Sequence, residues 1–285
     1  MGENTVEACD WQGIAALRVT TPQACAVLAL HGGQLLSFVP LGQQDLLWLS
    51  PDSRLPPQPI RGGVPVCWPY FGRQGQAADL PQHGFARTAP WRVLEQRIEA
   101  SAVTLQLALP AIQGTALQLT QTLRIGAELR QSLHTHNRGG EPVTFTQALH
   151  SYLRVGNAEQ VRVQGVQGLD YSDKHDGREH RQTEAWHLHD PRDPGRCDRV
   201  YHQAAGDYLL LDPVLRRRIQ LTTTGSRSLV LWNPGATGVA ALGDVPAAAW
   251  RDFVCVEAAN AGHDTVTLLP GQTHVLEQTL RALPL

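Results

Sequence analysis

No apolar run in this chain approaches the roughly 18 residues needed to cross a membrane; ACAVLAL, residues 24–30, is among the longest. The opening stretch, MGENTVEACDWQG, has neither the basic region nor the apolar core of a secretory signal. Val6 stands where a myristoylation pattern needs Ser or Thr. The chain therefore reads as soluble and cytoplasmic, with no membrane partner. Its five cysteines, Cys9, Cys25, Cys67, Cys197 and Cys255, are odd in number and lack the close pairing of zinc or redox motifs. Reduced thiols are expected. A formal net charge of −2 gives no global pull towards nucleic acid, so any anion must be held by a local cluster. There is no Walker pattern, internal repeat, low-complexity tract or long amphipathic helix.

What is present is period-two alternation. Val103, Leu105 and Leu107 share one face of VTLQLAL, and Leu117, Leu119, Leu123 and Ile125 share one face of LQLTQTLRI, as half-buried strands require. Further strands are expected at GIAALRVT, QLLSFV, DLLWL, PVTFTQALHSYLRV, VRVQGV, RRRIQLTTT, SLVLWNP, DFVCVEA, DTVTLL and THVLEQTL. Turn signals such as NRGGEP, TGS and LPGQ separate several of them. DVPAAAW has room for a helical turn or two. With 42% apolar and 18% charged residues, the chain can bury a large core. The fold class is all-β: a large antiparallel β-sandwich with little helix, read as one domain over residues 1–285.

Two segments exceed what a compact sandwich needs, the Pro- and Gly-rich residues 51–90 and the charge- and His-rich residues 168–206. Long loops of this kind are functional or disordered. The first contains IRGGVPVCWPYFG and LPQHGFAR, in which Arg61 and Arg87 flank glycines that let backbone approach a ligand. Guanidinium forks suit phosphate, although each arginine read alone also fits a surface or loop tether. His150 falls on the polar side of its strand with Thr146, Ala148, Tyr152 and Arg154, a place that also suits a hydrogen-bonded structural histidine. Glu257 closes an apolar strand on the face of Phe253 and Cys255. Near a cleft its pKa would rise towards a general base's working range, while at a strand end it would simply be solvated. Asp198 begins a short strand, where capping is the plain reading. The pairs His187/His189 and His134/His136 lack supporting Cys or carboxylate ligands, so no metal is expected.

In this order, IRGGVPVCWPYFG, LPQHGFARTAPW, ALHSYLRV, GLDYSDK, CDRVY, LVLWNP and DFVCVEAAN…LLPGQTH resemble the glucose-6-phosphate 1-epimerases, the hexose-6-phosphate mutarotases of the galactose mutarotase-like superfamily. The resemblance runs from about residue 25 to the carboxyl end. It implies a supersandwich with a sugar cleft on one face, His150 as general acid and Glu257 as general base. It also implies that Arg61 and Arg87 grip a 6-phosphate, that Gln82 and Asp198 contact the sugar, and that His83 lies beside it. PYFG stands where the family has PWFG, leaving Tyr70 to stack on the sugar, and Lys174 is expected to add charge near the phosphate. A monomer acting on a small phosphosugar without cofactor is expected. The alternatives are a noncatalytic carbohydrate-binding or regulatory module, an epimerase of unphosphorylated sugars, and a metal-dependent cupin-like enzyme built on His187 and His189.

Overall fold

Strands dominate because the alternation is real: in Leu117–Ile125 every odd-numbered residue is buried and every even-numbered one is partly exposed. The computed structural model describes residues 3–189 and 195–285; Met1, Gly2 and Asp190, which figured in the amino-terminal and charged-loop readings, lie outside the described residues. All pairings between the described strands are antiparallel. A four-stranded meander, Thr5–Trp11, Ile14–Thr20, Ala24–Ala29 and Gln34–Pro40, opens the chain. One eight-stranded sheet runs Arg162–Gln164, Gly206–Asp212, Arg217–Thr224, Thr273–Pro284, Leu129–Asn137, Leu117–Ile125, Val103–Ala108 and Arg92–Ile98. The other eight-stranded sheet, which carries the site, runs Arg178–Arg181, Asp170–Asp173, Cys197–His202, Ser228–Asn233, Phe253–Asn260, Gln147–Leu149 and Val66–Cys67, with Tyr152–Arg154 also paired to Phe253–Asn260. The largest apolar cluster draws side chains from both large sheets and the meander. Its burial is the main stabilising contribution.

Polar groups enter that core as a connected series. Gln121 donates to the Gly33 carbonyl at 2.7 Å, Gln131 to Gln121 at 2.6 Å, Gln278 to Gln131 at 3.0 Å, and the Ser151 hydroxyl to Gln278 at 2.9 Å. All three glutamines and Ser151 are fully buried. The series runs from the meander through the second sheet to the residue that follows His150, and each amide has a partner, as a buried polar network requires.

Several expectations are corrected. PVTFTQALHSYLRV is not one strand but three: Val143–Phe145 pairs with Val266–Leu268, while Gln147–Leu149 and Tyr152–Arg154 share the partner strand Phe253–Asn260. The ladder opens at His150, whose N–H turns to the Pro65 carbonyl at 3.0 Å. DLLWL forms only isolated bridges, Leu47 to Leu153 and Leu49 to Gly62. Residues 168–206 are not simply a loop, since they hold the hairpin Asp170–Asp173/Arg178–Arg181 and the strand Cys197–His202. DVPAAAW gives, as expected, a short helical turn, the 3₁₀ turn Ala249–Arg251. No described helix is long and apolar enough to cross a membrane.

Replacing Gln131 by Leu would leave the Gln121 oxygen and the Gln278 amide buried without their partner. Each such loss costs about 1–3 kcal/mol. Urea unfolding of Gln131→Leu should show a lower midpoint at an unchanged slope; a midpoint equal to wild type would mean that the amide series does not contribute.

Candidate active site

The register of the central strand sets the site. Leu149 pairs with Ala258 and Tyr152 with Cys255, so the unpaired stretch between them puts His150 opposite Glu257. Directly opposed residues of an antiparallel pair project to the same face. His150 Nε2 lies 3.4 Å from Glu257 Oε1. Glu257 is wholly buried and His150 is 8% exposed. Glu257 is therefore not a solvated strand end: it occupies the interior of an all-buried strand. Neither carboxylate oxygen has a hydrogen bond among the described residues, and nor does His150 Nδ1. The imidazole stacks on Tyr152 at 4.9 Å and meets Trp232 and His83 edge-on.

The loops flanking Val66–Cys67 supply the opposite wall. Trp68 straps the HGFAR stretch, accepting from the N–H groups of Phe85 and Ala86 and donating its own to the His83 carbonyl. Gly84, at φ +73°, passes so close that a Cβ there would collide with the Trp68 carbonyl. Glycine alone fits. His83 beside it also has positive φ, 66°, which is unusual for a residue with a side chain. Its Nδ1 accepts the Gly72 N–H at 3.2 Å, which puts its remaining N–H on Nε2. Arg87 reaches back to the Gln82 carbonyl at 2.6 Å. Arg61 is held by Asp244, with Nε 3.1 Å from each carboxylate oxygen, and by the Tyr152 hydroxyl at 2.9 Å.

All seven residues singled out from sequence, Arg61, Gln82, His83, Arg87, His150, Asp198 and Glu257, line one cleft. Phe71, Lys174, Val230, Trp232 and Leu242 complete it. Two expectations shift. Tyr70 does not line the cleft but packs edge-on against Phe85, and Phe71 takes its place. Lys174 pairs with Asp198 at 3.3 Å rather than joining the two arginines. Phe71, Trp232 and Asp244 were not singled out as site residues: Trp232 stood inside the LVLWNP motif, while nothing local marks Asp244 as the partner of Arg61.

Burial first, and then the nearby Asp198, push the Glu257 carboxyl well above the usual carboxylate range against the pull of Lys174. Burial, followed by Arg61 and Arg87, holds His150 down to about 3. Burial and Arg87 likewise keep His83 neutral. Both shifts favour the uncharged forms, carboxyl and imidazole, over the ion pair. Two groups of three donors come together among the described residues, His150/Cys255/Glu257 and Glu179/His202/His263. Burial raises the Cys255 pKa well above normal, which keeps it a thiol rather than the thiolate a metal prefers. Neither group contains His134, His136, His187 or His189.

With this geometry in view, comparison with known proteins gives a consistent answer. A family model described as aldose 1-epimerase matches residues 16–281. A protein of Escherichia coli (strain K12) named "Putative glucose-6-phosphate 1-epimerase" is 35% identical over 271 residues, covering 92% of this chain and 88% of its own. A crystal structure of a "putative mutarotase" from Salmonella typhimurium superposes with a TM-score of 0.89 at 30% identity, covering 98% of this chain and 94% of the other. A galactose mutarotase-like protein from Clostridium acetobutylicum shares the fold at TM-score 0.74 and 14% identity, covering 99% of each chain.

The two displaced pKa values carry opposite signs for stability. An acid with a raised native pKa binds its proton more tightly when folded, so Glu257 costs stability as pH climbs above the usual carboxylate range. His150 binds its proton more tightly when unfolded, so stability falls as pH drops from 6.5 towards about 3. Glu257→Gln removes the first cost. Its melting temperature should exceed wild type, with the larger gain at about pH 8 and the smaller at about pH 5. A melting temperature unchanged at both would contradict the raised pKa.

Proposed function

The chain belongs to the aldose 1-epimerase family, and from that premise we propose that it interconverts the α and β anomers of a hexose 6-phosphate, D-glucose 6-phosphate being the substrate. The observation that carries this reading is the convergence, in one cleft, of a buried acid–imidazole pair with two arginines. The first supplies proton transfer at an anomeric centre. The second supplies forks for a phosphate.

The reaction asks for two proton movements. Glu257 as carboxylate takes the proton of the C1 hydroxyl while His150 as imidazolium gives one to the ring oxygen. The C1–O5 bond breaks and a free aldehyde forms. Rotation about C1–C2 presents the other face of the carbonyl; His150 then takes back the proton from the O5 hydroxyl as it attacks C1, and Glu257 returns its proton to the carbonyl oxygen. The working form, carboxylate plus imidazolium, has the same proton count as the resting pair and differs only in where one proton sits. Arg61 and Arg87 are among the charges that oppose protonation of His150. A phosphate dianion between them would cancel that opposition, so substrate binding favours the imidazolium. General acid–base pairs contribute about 10²- to 10⁴-fold, adequate for a reaction that already proceeds in water, and no cofactor is needed for it.

A noncatalytic sugar-binding module is the weaker reading. Recognition needs hydrogen-bonding contacts, whereas a carboxyl buried without a hydrogen bond among the described residues is a stability cost of the sort found where chemistry requires it.

His150→Ala and Glu257→Gln should lower the rate of anomer interconversion by about 10²-fold or more while remaining folded. Wild-type rates in either would remove that residue from the mechanism. Activity should survive exhaustive dialysis against EDTA; a loss that zinc or manganese restores would point to a metal enzyme. Arg87→Ala should raise KM for glucose 6-phosphate by about 10- to 150-fold with little change in kcat, and leave turnover of free glucose untouched. Arg87→Lys should recover part of the loss. An equal loss on both sugars would make Arg87 structural and favour an epimerase of unphosphorylated sugars.

A further inference from the structure

Of the 24 lysine and arginine side chains in the sequence, Lys174 is the only lysine. A chain that uses arginine at every other cationic position has no general need of lysine for charge, solubility or ion pairing. The exception stands in the cleft. Its Nζ lies 3.3 Å from Asp198 Oδ1 and 4.8 Å from the centroid of the Phe71 ring. Its own N–H donates to the Asp198 carbonyl at 3.0 Å, which fixes the main chain as well as the side chain.

The order of strands says which side of the cleft this is. Lys174 follows the strand Asp170–Asp173, and Asp198 lies on the next strand, Cys197–His202; Ser228–Asn233 and then Phe253–Asn260, with Glu257, come after. The loops bearing Arg61 and Arg87 flank Val66–Cys67, beyond the Glu257 strand on its far side. Lys174 therefore enters the cleft from the Asp198 edge, and its ammonium reaches the Phe71 ring, on the loop after Val66–Cys67. Of its three donors, Asp198 engages one and the Phe71 face accommodates positive charge beside it. At least one N–H is left for a ligand. Arginine would place a longer planar fork there, matched to both oxygens of Asp198 rather than to a single hydroxyl.

Resting on the function proposed above, we propose that Lys174 is a hexose-recognition residue, its ammonium and the Asp198 carboxylate together holding ring hydroxyls of the sugar at the Asp198 edge of the cleft. Lys174 reads hydroxyl orientation, and the arginines read the phosphate.

This predicts a pattern unlike that of Arg87. Lys174→Met and Lys174→Arg, checked for folding by melting temperature, should each lose about 10- to 150-fold in kcat/KM, by the same factor on glucose and on glucose 6-phosphate. Loss confined to the phosphorylated sugar would make Lys174 a phosphate ligand, and no loss on either would remove it from recognition; both outcomes overturn the proposal. A second measurement does not depend on turnover or on a variant. Because Lys174 is the only lysine, an amine-directed acylating reagent can modify only it and the terminal amine, and peptide mass analysis separates the two. Saturating glucose 6-phosphate should slow acylation of Lys174 by about tenfold or more, and free glucose at saturation should do the same. Protection in a protein that fails to interconvert the anomers would sink the proposed activity and leave this inference standing. Acylation at an unchanged rate under saturating glucose 6-phosphate would overturn the inference whether or not the protein is active.

Discussion

A carboxyl group buried in the middle of an apolar strand, with an imidazole 3.4 Å away and no hydrogen bond among the described residues, is the constraint on which the rest of the structure turns. Left charged and alone in such a place it would be expensive. The pair answers this by favouring its uncharged forms, carboxyl and imidazole, which differ from the ion pair only in where one proton sits.

The scaffold can be understood as support for that pair. The glutamine series ends on Ser151, immediately after His150, so the break in the ladder that frees the imidazole is anchored from the second sheet. Tyr152 and Trp232 fix the ring by contact, and Tyr152 also receives a hydrogen bond from Arg61. The wall carrying His83 and Arg87 is strapped to Trp68 through a backbone approach that only Gly84 permits. Lys174 is tied to Asp198, and the arginines to Asp244 and the Gln82 carbonyl, so the cations of the cleft belong to separate groups.

Much of the fold was legible because alternation reports burial directly, as in Leu117–Ile125. Gln121 shows the limit: it falls on the buried face of that strand, and a partner from a distant segment, the Gly33 carbonyl, explains it. The site residues were legible as motifs, yet their relation was not. Alternation put His150 and Glu257 each on a face of its own strand, but that the two strands pair, and in which register, depends on contacts across more than a hundred residues of sequence. The break at His150 leaves no trace in an alternating pattern, since the residues keep their phase on either side of it. The Tyr70 expectation failed for a similar reason: Tyr70 packs on Phe85, while the Phe71 N–H is taken by the Thr146 hydroxyl from a distant segment and Phe71 lines the cleft.

Infrared difference spectroscopy of the free protein against Glu257→Gln tests the shared proton most directly. At neutral pH the account predicts a carboxylic acid C=O band that disappears in the variant and weakens when glucose 6-phosphate is added, as the proton passes to His150. A carboxylate band for Glu257 in the free protein, with no carboxylic acid band, would contradict it.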